Sequence, residues 1–260
     1  MDKVSVMSCD SSMNEYAIVL AERLNVKLLK GNVEPKDGDI YIVLGGQYQS
    51  ANLINLQTKV KVGYIIYNSA IEFRDKYYLT LLKSNPVFNS EQRVTDHLKK
   101  EHGVNTLSHF FYDFMKVEPA SRPNDIVIIS KSKMELSSKL QNKYPDKIIN
   151  HVLWGDLKSP QELKEMFMNA KYFINVDDGS FNTYAINNAL SCGCRVVSHS
   201  NTDKETKDFY ETFVTITESI EDFDFENDNE DFPPYEELIK QLTKLITPHN
   251  HAVLERIIKS

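Results

Sequence analysis

Short apolar runs alternate with segments of helical periodicity along the first half of the chain. The apolar runs predict strands at Val4–Ser8, Val26–Leu29, Ile40–Leu44, Val62–Tyr67 and Pro86–Phe88. After the first run, Ser12 and Glu15 have the spacing of a capping box, and apolar residues follow at helical spacing. Short strands separated by helices are typical of βαβ units, so the pattern predicts a mainly parallel sheet.

A second alternating series begins after residues 117–124, where two prolines flank Ala-Ser-Arg and indicate a linker. The predicted strands are Asp125–Ile129, Ile148–Leu153, Lys171–Val176 and Arg195–Ser198. Helices are predicted at Met134–Lys143, after the cap Ser159, at Tyr184–Leu190, at Tyr235–Ile246 and at Ala252–Ile258. The fold class is therefore α/β, with two Rossmann-like domains at 1–118 and 119–260.

Composition narrows the class of protein without naming a reaction. The 260 residues are 41% hydrophobic and carry a net charge of −7, which argues against sequence-independent binding of nucleic acid. No apolar run approaches the roughly 20 residues that span a bilayer, so no integral membrane segment is expected. Three cysteines cannot form a disulfide framework and indicate a reducing compartment. We therefore expect a cytoplasmic protein.

The segment Glu221–Asp231 is almost entirely acidic and is interrupted by Phe223 and Phe225. Its alternating acids suggest a calcium loop, but the glycine that an EF-hand needs at its tight bend is absent. A solvated, mobile loop is the favoured interpretation.

Ligands of open α/β sheets bind beyond the carboxyl ends of the strands. The loop Asp177–Thr183 joins a buried strand to a helix there, and Gly179 lets its backbone turn closely. The free N–H groups of the following helix suit a phosphate, although the loop alone favours a capped turn without a ligand. Lys131 and Lys133 follow another strand and suit a diphosphate, with a solvated turn as the alternative.

Other site types lack their motifs. The sequence contains no P-loop and no Gly-x-Gly-x-x-Gly fingerprint. Cys192 and Cys194 lack the second cysteine pair of a zinc site, so no metal ligand is proposed and Cys192 is expected to pack as a small hydrophobe.

The segment Lys164–Ser200 resembles the C-terminal domain of the GT-B nucleotide-sugar glycosyltransferases. It reads KEMFMNAKYFINVDDGSFNTYAINNALSCGCRVVSHS and contains a loop, a helix that ends at Cys192-Gly193, and an apolar strand. The similarity is to the retaining branch, the group 1 or family 4-like enzymes. The segment from Val87 to Glu91, with Tyr112-Asp113-Phe114, resembles the part that precedes the family's interdomain linker.

The resemblance implies two Rossmann-like domains that face each other across a cleft, with the last helix returning to the first domain. It implies transfer of a sugar from a UDP- or GDP-linked donor to a glycan or other hydroxyl acceptor, with retention and without a metal ion or further cofactor. A compact chain with a relaxed motif fits a viral genome. A catalytically inactive binding or scaffolding protein is the alternative, because the family's two glutamates align with Ser180 and Asn188.

These implications define a set of candidate site residues. Asp177 or Asp178 is the candidate replacement for the missing carboxylate, with Asp178 as the preferred catalytic residue, and Ser180 takes the position of the first glutamate. The donor-binding candidates are Lys131, Lys133, Trp154, Gly179, Ser180, Phe181, Asn182, Thr183 and Asn188. The acceptor-side candidates are Ser11, Gly45, Gly46 and Asn68.

Overall fold

A computed structural model gives the structure of most of the chain. It describes residues 3–9, 13–29, 36, 38–45, 50–66, 75–89, 92–108, 122–130, 135–153, 156–157, 159–176, 183–199, 207–208, 210–226 and 233–260. The chain divides into two compact units, Met1–Asp113 with Thr243–Ser260, and Phe114–Leu242. Each unit has a parallel sheet, so the fold is mixed α/β and compatible with two Rossmann-like domains. The domain limits 1–118 and 119–260 stay a prediction.

The first unit is built on a parallel sheet in the order β2-β1-β3-β4-β5-β6. Its described strands are β1 (Val4–Ser8), β2 (Lys27–Leu29), β3 (Ile40–Leu44), β4 (Lys61–Ile65), β5 (Val87–Asn89) and β6 (Leu107–Ser108). Its described helices are α1 (Asn14–Leu24), α2 (Ser50–Gln57), α3 (Lys76–Ser84) and α4 (Gln92–His102). Helix α1 packs on one face of the sheet, and α2, α3 and α4 pack on the other.

The second unit has the sheet order β11-β10-β9-β7-β8, again with parallel strands. Its described strands are β7 (Asn124–Ser130), β8 (Ile149–Leu153), β9 (Ala170–Asn175), β10 (Arg195–His199) and β11 (Val214–Thr217). The described helices are α5 (Glu135–Lys143), α6 (Pro160–Met168), α7 (Thr183–Ser191) and α8 (Tyr235–Lys259), whose last residues belong to the first unit. If the strands of each sheet are numbered from 1 in chain order, both sheets contain five neighbouring strands in the order 2-1-3-4-5.

The caps of the helices show where local sequence determines the structure. The prediction for α6 is confirmed, because Ser159 Oγ accepts a hydrogen bond from Glu162 N–H at 3.2 Å and Pro160 is the first helical residue. The capping box predicted for α1 is wrong. That helix begins after Met13, which makes no side-chain capping bond.

The C-terminal residues form one helix, α8, so the prediction of two helices is wrong. Pro248 lies inside the helix and removes one backbone donor. The buried residues continue at helical spacing across it, at Leu238, Leu242, Ile246, Asn250, Val253, Leu254 and Ile257. Burial of this continuous stripe offsets the cost of one proline, which is about 3 kcal/mol in a helix interior.

Residues 221–226 form a turn without helix or strand whose acidic side chains are exposed, as predicted, but its phenylalanines are packed; residues 227–231 lie outside the described residues. Phe225 is buried and its ring lies 5.2 Å from that of Tyr172 and 5.7 Å from that of Tyr144. The Tyr144 hydroxyl donates to the Phe223 carbonyl at 3.0 Å and accepts from Phe225 N–H at 3.3 Å. Two aromatic residues therefore fix the start of this acidic run against α5 and the sheet.

Close packing of α8 on β4 gives a testable prediction of stability. A β-carbon at Gly63 would overlap Cγ1 and Cδ1 of Ile257, so Gly63→Ala should lower the free energy of unfolding by about 1–3 kcal/mol. Ile257→Ala removes the overlapping atoms, and the double variant should lose less stability than the sum of the single variants. Urea unfolding of all three variants measures this. Additivity within about 0.5 kcal/mol would contradict the predicted contact.

No helix among the described residues is both long enough and apolar enough to cross a membrane.

Candidate functional site

The carboxyl edge of the second sheet is the candidate site, because chain topology opens a crevice there. Strand β7 continues through α5 to β8, towards one end of the strand order. Strand β9 continues through α7 to β10, towards the other end. Strands β7 and β9 are neighbours and their connections leave in opposite directions, which defines a topological switch point. Ser130 and Asn175 end these two strands.

A histidine joins two hydroxyls at the end of β7. Ser130 Oγ lies 2.7 Å from Nε2 of His151, and Ser137 Oγ lies 3.2 Å from Nδ1. Hydroxyls donate or accept as required, so either tautomer of the imidazole satisfies both contacts. These bonds link β7, β8 and the first turn of α5, and they fix the side chain with which the strand ends.

A second polar pair lies at the ends of β9 and β10. The Asn175 amide donates to Ser198 Oγ at 2.9 Å, and both side chains are buried. The two residues are register partners in the parallel ladder. A buried amide and a buried hydroxyl are stable here because each satisfies the hydrogen-bonding capacity of the other. Their bond fixes the side chain at the end of β9.

Helix α7 follows that segment and is held by polar contacts as well as apolar ones. The Tyr210 hydroxyl donates to Asn187 Oδ1 at 2.6 Å, and Ser191 Oγ donates to the Asn187 carbonyl at 2.8 Å. The helix ends at a Schellman motif in which Cys194 N–H bonds the Ala189 carbonyl at 2.9 Å. Gly193 supplies the required positive φ of 74°.

Only some of the predicted site residues lie in the described part of the chain. Asn188, predicted to hold a ribose, lies within α7 with 4% of its surface exposed. Thr183 is the first residue of that helix, and its side chain is not described. The other donor candidates lie outside the described residues: Lys131, Lys133, Trp154, Asp178, Gly179, Ser180, Phe181 and Asn182. Their roles stay predictions.

Cys192 has the packing role predicted for it. It is buried, and its Sγ lies 3.9 Å from the Lys164 carbonyl. Among the described residues, no three His, Cys, Asp or Glu side chains are grouped as a metal ion would require.

On the acceptor side, Gly45 is described and Ser11, Gly46 and Asn68 are not. Gly45 follows β3 with φ of 75°, its N–H donates to the Ile65 carbonyl at 3.0 Å, and its carbonyl accepts from the Tyr78 hydroxyl at 3.0 Å. Burial, with smaller effects of Tyr64 and Cys9, raises the pKa of Tyr78, so this hydroxyl stays a neutral donor. The neighbouring Tyr64 hydroxyl is buried and has no hydrogen-bond partner within the described part of the chain.

Sequence reasoning missed His151 and Asn175 as parts of the carboxyl edge. His151 lies in the middle of a predicted strand, and nothing local pairs it with Ser130. The register of β7 with β8, Ile128 beside His151, brings the two side chains to one face of the sheet. That register depends on tertiary pairing, and the only local signal was a polar residue inside an apolar run.

No model of a known protein family matches this sequence, and no curated protein matches it. Solved structures do match. The Glycosylation Associate Protein (Gap123) complex from Streptococcus agalactiae matches with a TM-score of 0.53 and 11% identity over 94% of this chain. The chain spans 57% of the length of that protein. At this identity, the likeness shows a shared fold.

Two further structures match with lower scores. The N-terminal domain of Candida albicans trehalose-6-phosphate phosphatase has a TM-score of 0.48 and 8% identity, covering 96% of this chain and 81% of that one. The GtfA/B complex bound to UDP and GlcNAc has a TM-score of 0.36 and 10% identity, covering 91% of this chain and 56% of that one.

Proposed function

We propose that this chain is a glycosyltransferase that moves a sugar from a UDP- or GDP-linked donor to a hydroxyl group of a glycan or similar acceptor. The observation that carries the proposal is the position of the family-like segment Lys164–Ser200. It includes α6, β9, α7 and β10, and β9 is one of the two strands that define the switch point. The fold shared with Gap123 is compatible with this assignment.

In this proposal, the second unit binds the donor at its carboxyl edge. Lys131 and Lys133 and the N–H groups of residues 180–183 hold the diphosphate, and they stabilise its developing charge as the sugar leaves. Trp154 lies near the base, and the Asn188 amide bonds a ribose hydroxyl. Asp178 supplies the carboxylate near the transferred sugar.

The remaining features of the proposal come from the family resemblance. They are retained configuration, independence from a metal ion, and a cleft between the two units. The acceptor then lies by the loops after the strands of the first unit, near Ser11, Gly45, Gly46 and Asn68.

A second candidate is a sugar-nucleotide-binding or scaffolding protein without turnover. The presence of Ser180 and Asn188 at the two glutamate positions favours it, because neither side chain ionises to a carboxylate. The Gap123 protein is itself named for association with glycosylation.

Release of free nucleoside diphosphate separates the two candidates. The protein is mixed with UDP- and GDP-sugars, with and without a panel of glycan acceptors, and free UDP or GDP is measured. Acceptor-dependent release supports the transferase. Saturable binding of a donor without release supports the second candidate.

Removal of the proposed diphosphate contacts tests the donor site. Lys131→Ala and Lys133→Ala should weaken donor binding, at least one of them by about tenfold, which is about 1.4 kcal/mol and suits one charge-assisted phosphate contact. Dissociation constants are compared at fixed salt concentration. Lys139→Ala is the matched control, since it removes the same charge from α5, where Lys139 pairs with Glu221 at 2.8 Å. Unchanged affinity in both test variants would place the diphosphate elsewhere.

A further inference from the structure

A cavity lies at the amino edge of the second sheet, opposite the carboxyl edge that forms the candidate functional site. It has a volume of about 450 Å³, within the range of small-molecule sites. The described residues that line it are Arg122, Lys171, Tyr172, Gly193, Arg195, Pro233 and Tyr235. Arg122 precedes β7, and Lys171 and Arg195 stand at the starts of β9 and β10, so this amino-edge cavity and the carboxyl edge lie at opposite ends of the strands.

The amino-edge cavity is cationic. Arginine or lysine side chains account for three of its described lining residues, and no described lining residue is acidic. One of these cations pairs with an acidic residue outside the lining: Asp125 Oδ1 accepts a hydrogen bond from Lys171 Nζ at 2.5 Å. Burial opposes ionisation of Asp125, but the Lys171 and Ile148 N–H donors keep its pKa below the ordinary value. One of the three charges is therefore partly compensated.

One of the two arginines that line the cavity is held in a fixed position. Arg122 Nη1 donates to the Ala170 carbonyl at 2.6 Å, and Nη2 donates to the Cys192 carbonyl at 2.9 Å. Burial raises the pKa of the adjacent Cys194 thiol, so the sulfur brings no negative charge to Arg122 at neutral pH. A guanidinium fixed by two carbonyls loses little entropy when it meets an anion.

Gly193 and Tyr235 shape the wall of this cavity. The Tyr235 hydroxyl donates to the Ser191 carbonyl at 2.8 Å, which fixes the ring. A β-carbon at Gly193 would stand 2.7 Å from Arg122 Nη2 and 2.9 Å from Tyr235 Cδ2. A side chain at residue 193 would therefore occupy the space between the guanidinium and the ring.

The cavity described in the first unit has a different character. Its volume is about 390 Å³ and its lining includes Asp39 together with Lys59 and Lys61. Lys61 Nζ donates to the Ile258 carbonyl at 3.1 Å. Because an acidic residue is part of its lining, this cavity is a poorer match for an anion than the amino-edge cavity.

We propose that the amino-edge cavity binds a phosphate monoester carried on a sugar or nucleoside ring. Guanidinium and ammonium groups match the charge and oxygen geometry of a phosphate, and tyrosine rings offer flat apolar surface to the attached ring. The cavity is remote from the proposed donor edge, so the proposal does not rest on the glycosyltransferase assignment.

Calorimetric titration with glucose 6-phosphate and AMP tests the proposal and distinguishes the two sources of the phosphate. Glucose and adenosine are the uncharged controls. We expect binding of at least one phosphorylated probe that weakens as salt is raised, and no binding of its uncharged counterpart. Equal binding of charged and uncharged probes, or no binding of either phosphorylated probe, would overturn the proposal.

Variants of the other two cations locate the binding and leave Arg122, which is bonded to two carbonyls, in place. Lys171→Gln and Arg195→Gln should each weaken binding of the probe by about tenfold. Asp125→Asn should strengthen it by about threefold, because Lys171 loses its competing carboxylate. Lys139→Gln is the matched control for net charge and should change nothing. Unchanged affinity in both Lys171→Gln and Arg195→Gln would overturn the proposal.

Two further variants test whether the phosphate binds at the carboxyl edge or competes with the chain's own acidic segment. The double variant Lys131→Ala/Lys133→Ala should bind the probe as the wild type does; loss of binding would assign the phosphate to the carboxyl edge and overturn the proposal. The acidic residues that precede Pro233 are neutralised in Asp228→Asn/Glu230→Gln/Asp231→Asn. Binding that occurs only in this variant would identify the acidic segment as the occupant, which also overturns the proposal.

Discussion

Gly179→Val is expected to abolish binding of nucleoside diphosphate sugars while the chain keeps its fold. If the loop Asp177–Thr183 holds a diphosphate, its backbone must approach the phosphate oxygens closely, and a side chain at residue 179 fills that space or disfavours the turn. Binding is measured by calorimetry, and circular dichroism checks the fold.

Gly103→Val is the matched control for this substitution. Gly103 has a positive φ of 67°, and a β-carbon there meets no atom within 4 Å. It follows α4 in the first unit, so its substitution adds backbone strain outside the unit that is proposed to bind the donor. Full donor affinity in Gly179→Val would refute the phosphate role of the loop, and loss of affinity in Gly103→Val would show that strain alone explains the effect.

Asp178→Asn is expected to lower turnover by about 100-fold or more with little change in donor affinity. If Asp178 replaces the family's glutamate, its charge acts on the transition state more than on the bound donor. The measurement compares kcat with the dissociation constant of the donor. Unchanged turnover would make Asp178 an ordinary loop residue and would contradict this catalytic role.

Asp177→Asn serves as the neighbouring control. It removes the same charge one residue away in the same loop. Equal losses of turnover in the two variants would indicate a general electrostatic effect of the loop and would contradict a specific role of Asp178.

The alternating elements were predictable from the sequence because each depends on local pattern. Strand β3 has the predicted bounds Ile40–Leu44, since its apolar run ends at a glycine that the turn requires. The cap of α6 was predictable from Ser159 and Pro160 for the same reason. Gly103, which directly follows α4, has the positive φ that favours glycine after a helix, so this helix end also depends on local sequence.

Features that depend on distant contacts were not predictable. The single helix α8 persists through Pro248 because residues on both sides of the proline are buried. Phe223 and Phe225 are fixed by Tyr144 and Tyr172, which are more than 50 residues away in the sequence. Strand β11 alternates polar residues with Val214 and Ile216, and it is a strand because it pairs with β10 at the edge of the sheet.

The candidate site likewise has features that the sequence predicts and features that depend on distant contacts. The order of elements predicted a mainly parallel sheet, whereas the switch point between β7 and β9 follows from the strand order of the folded sheet. The contacts of His151 with Ser130 and Ser137 required the register of β8 and the position of α5. A single sequence holds no signal for such a triplet, because its members are separated by 7 to 21 positions and lie on three elements.

The most direct test of the central claim is calorimetric titration of the intact chain with a panel of UDP- and GDP-sugars. We predict saturable binding of at least one donor with a stoichiometry of one, and weaker binding in the Lys131→Ala and Lys133→Ala variants. We also expect the free nucleoside diphosphate to compete with the donor, because both place a diphosphate on the same groups. Failure of every sugar nucleotide and of UDP and GDP to bind would contradict the claim.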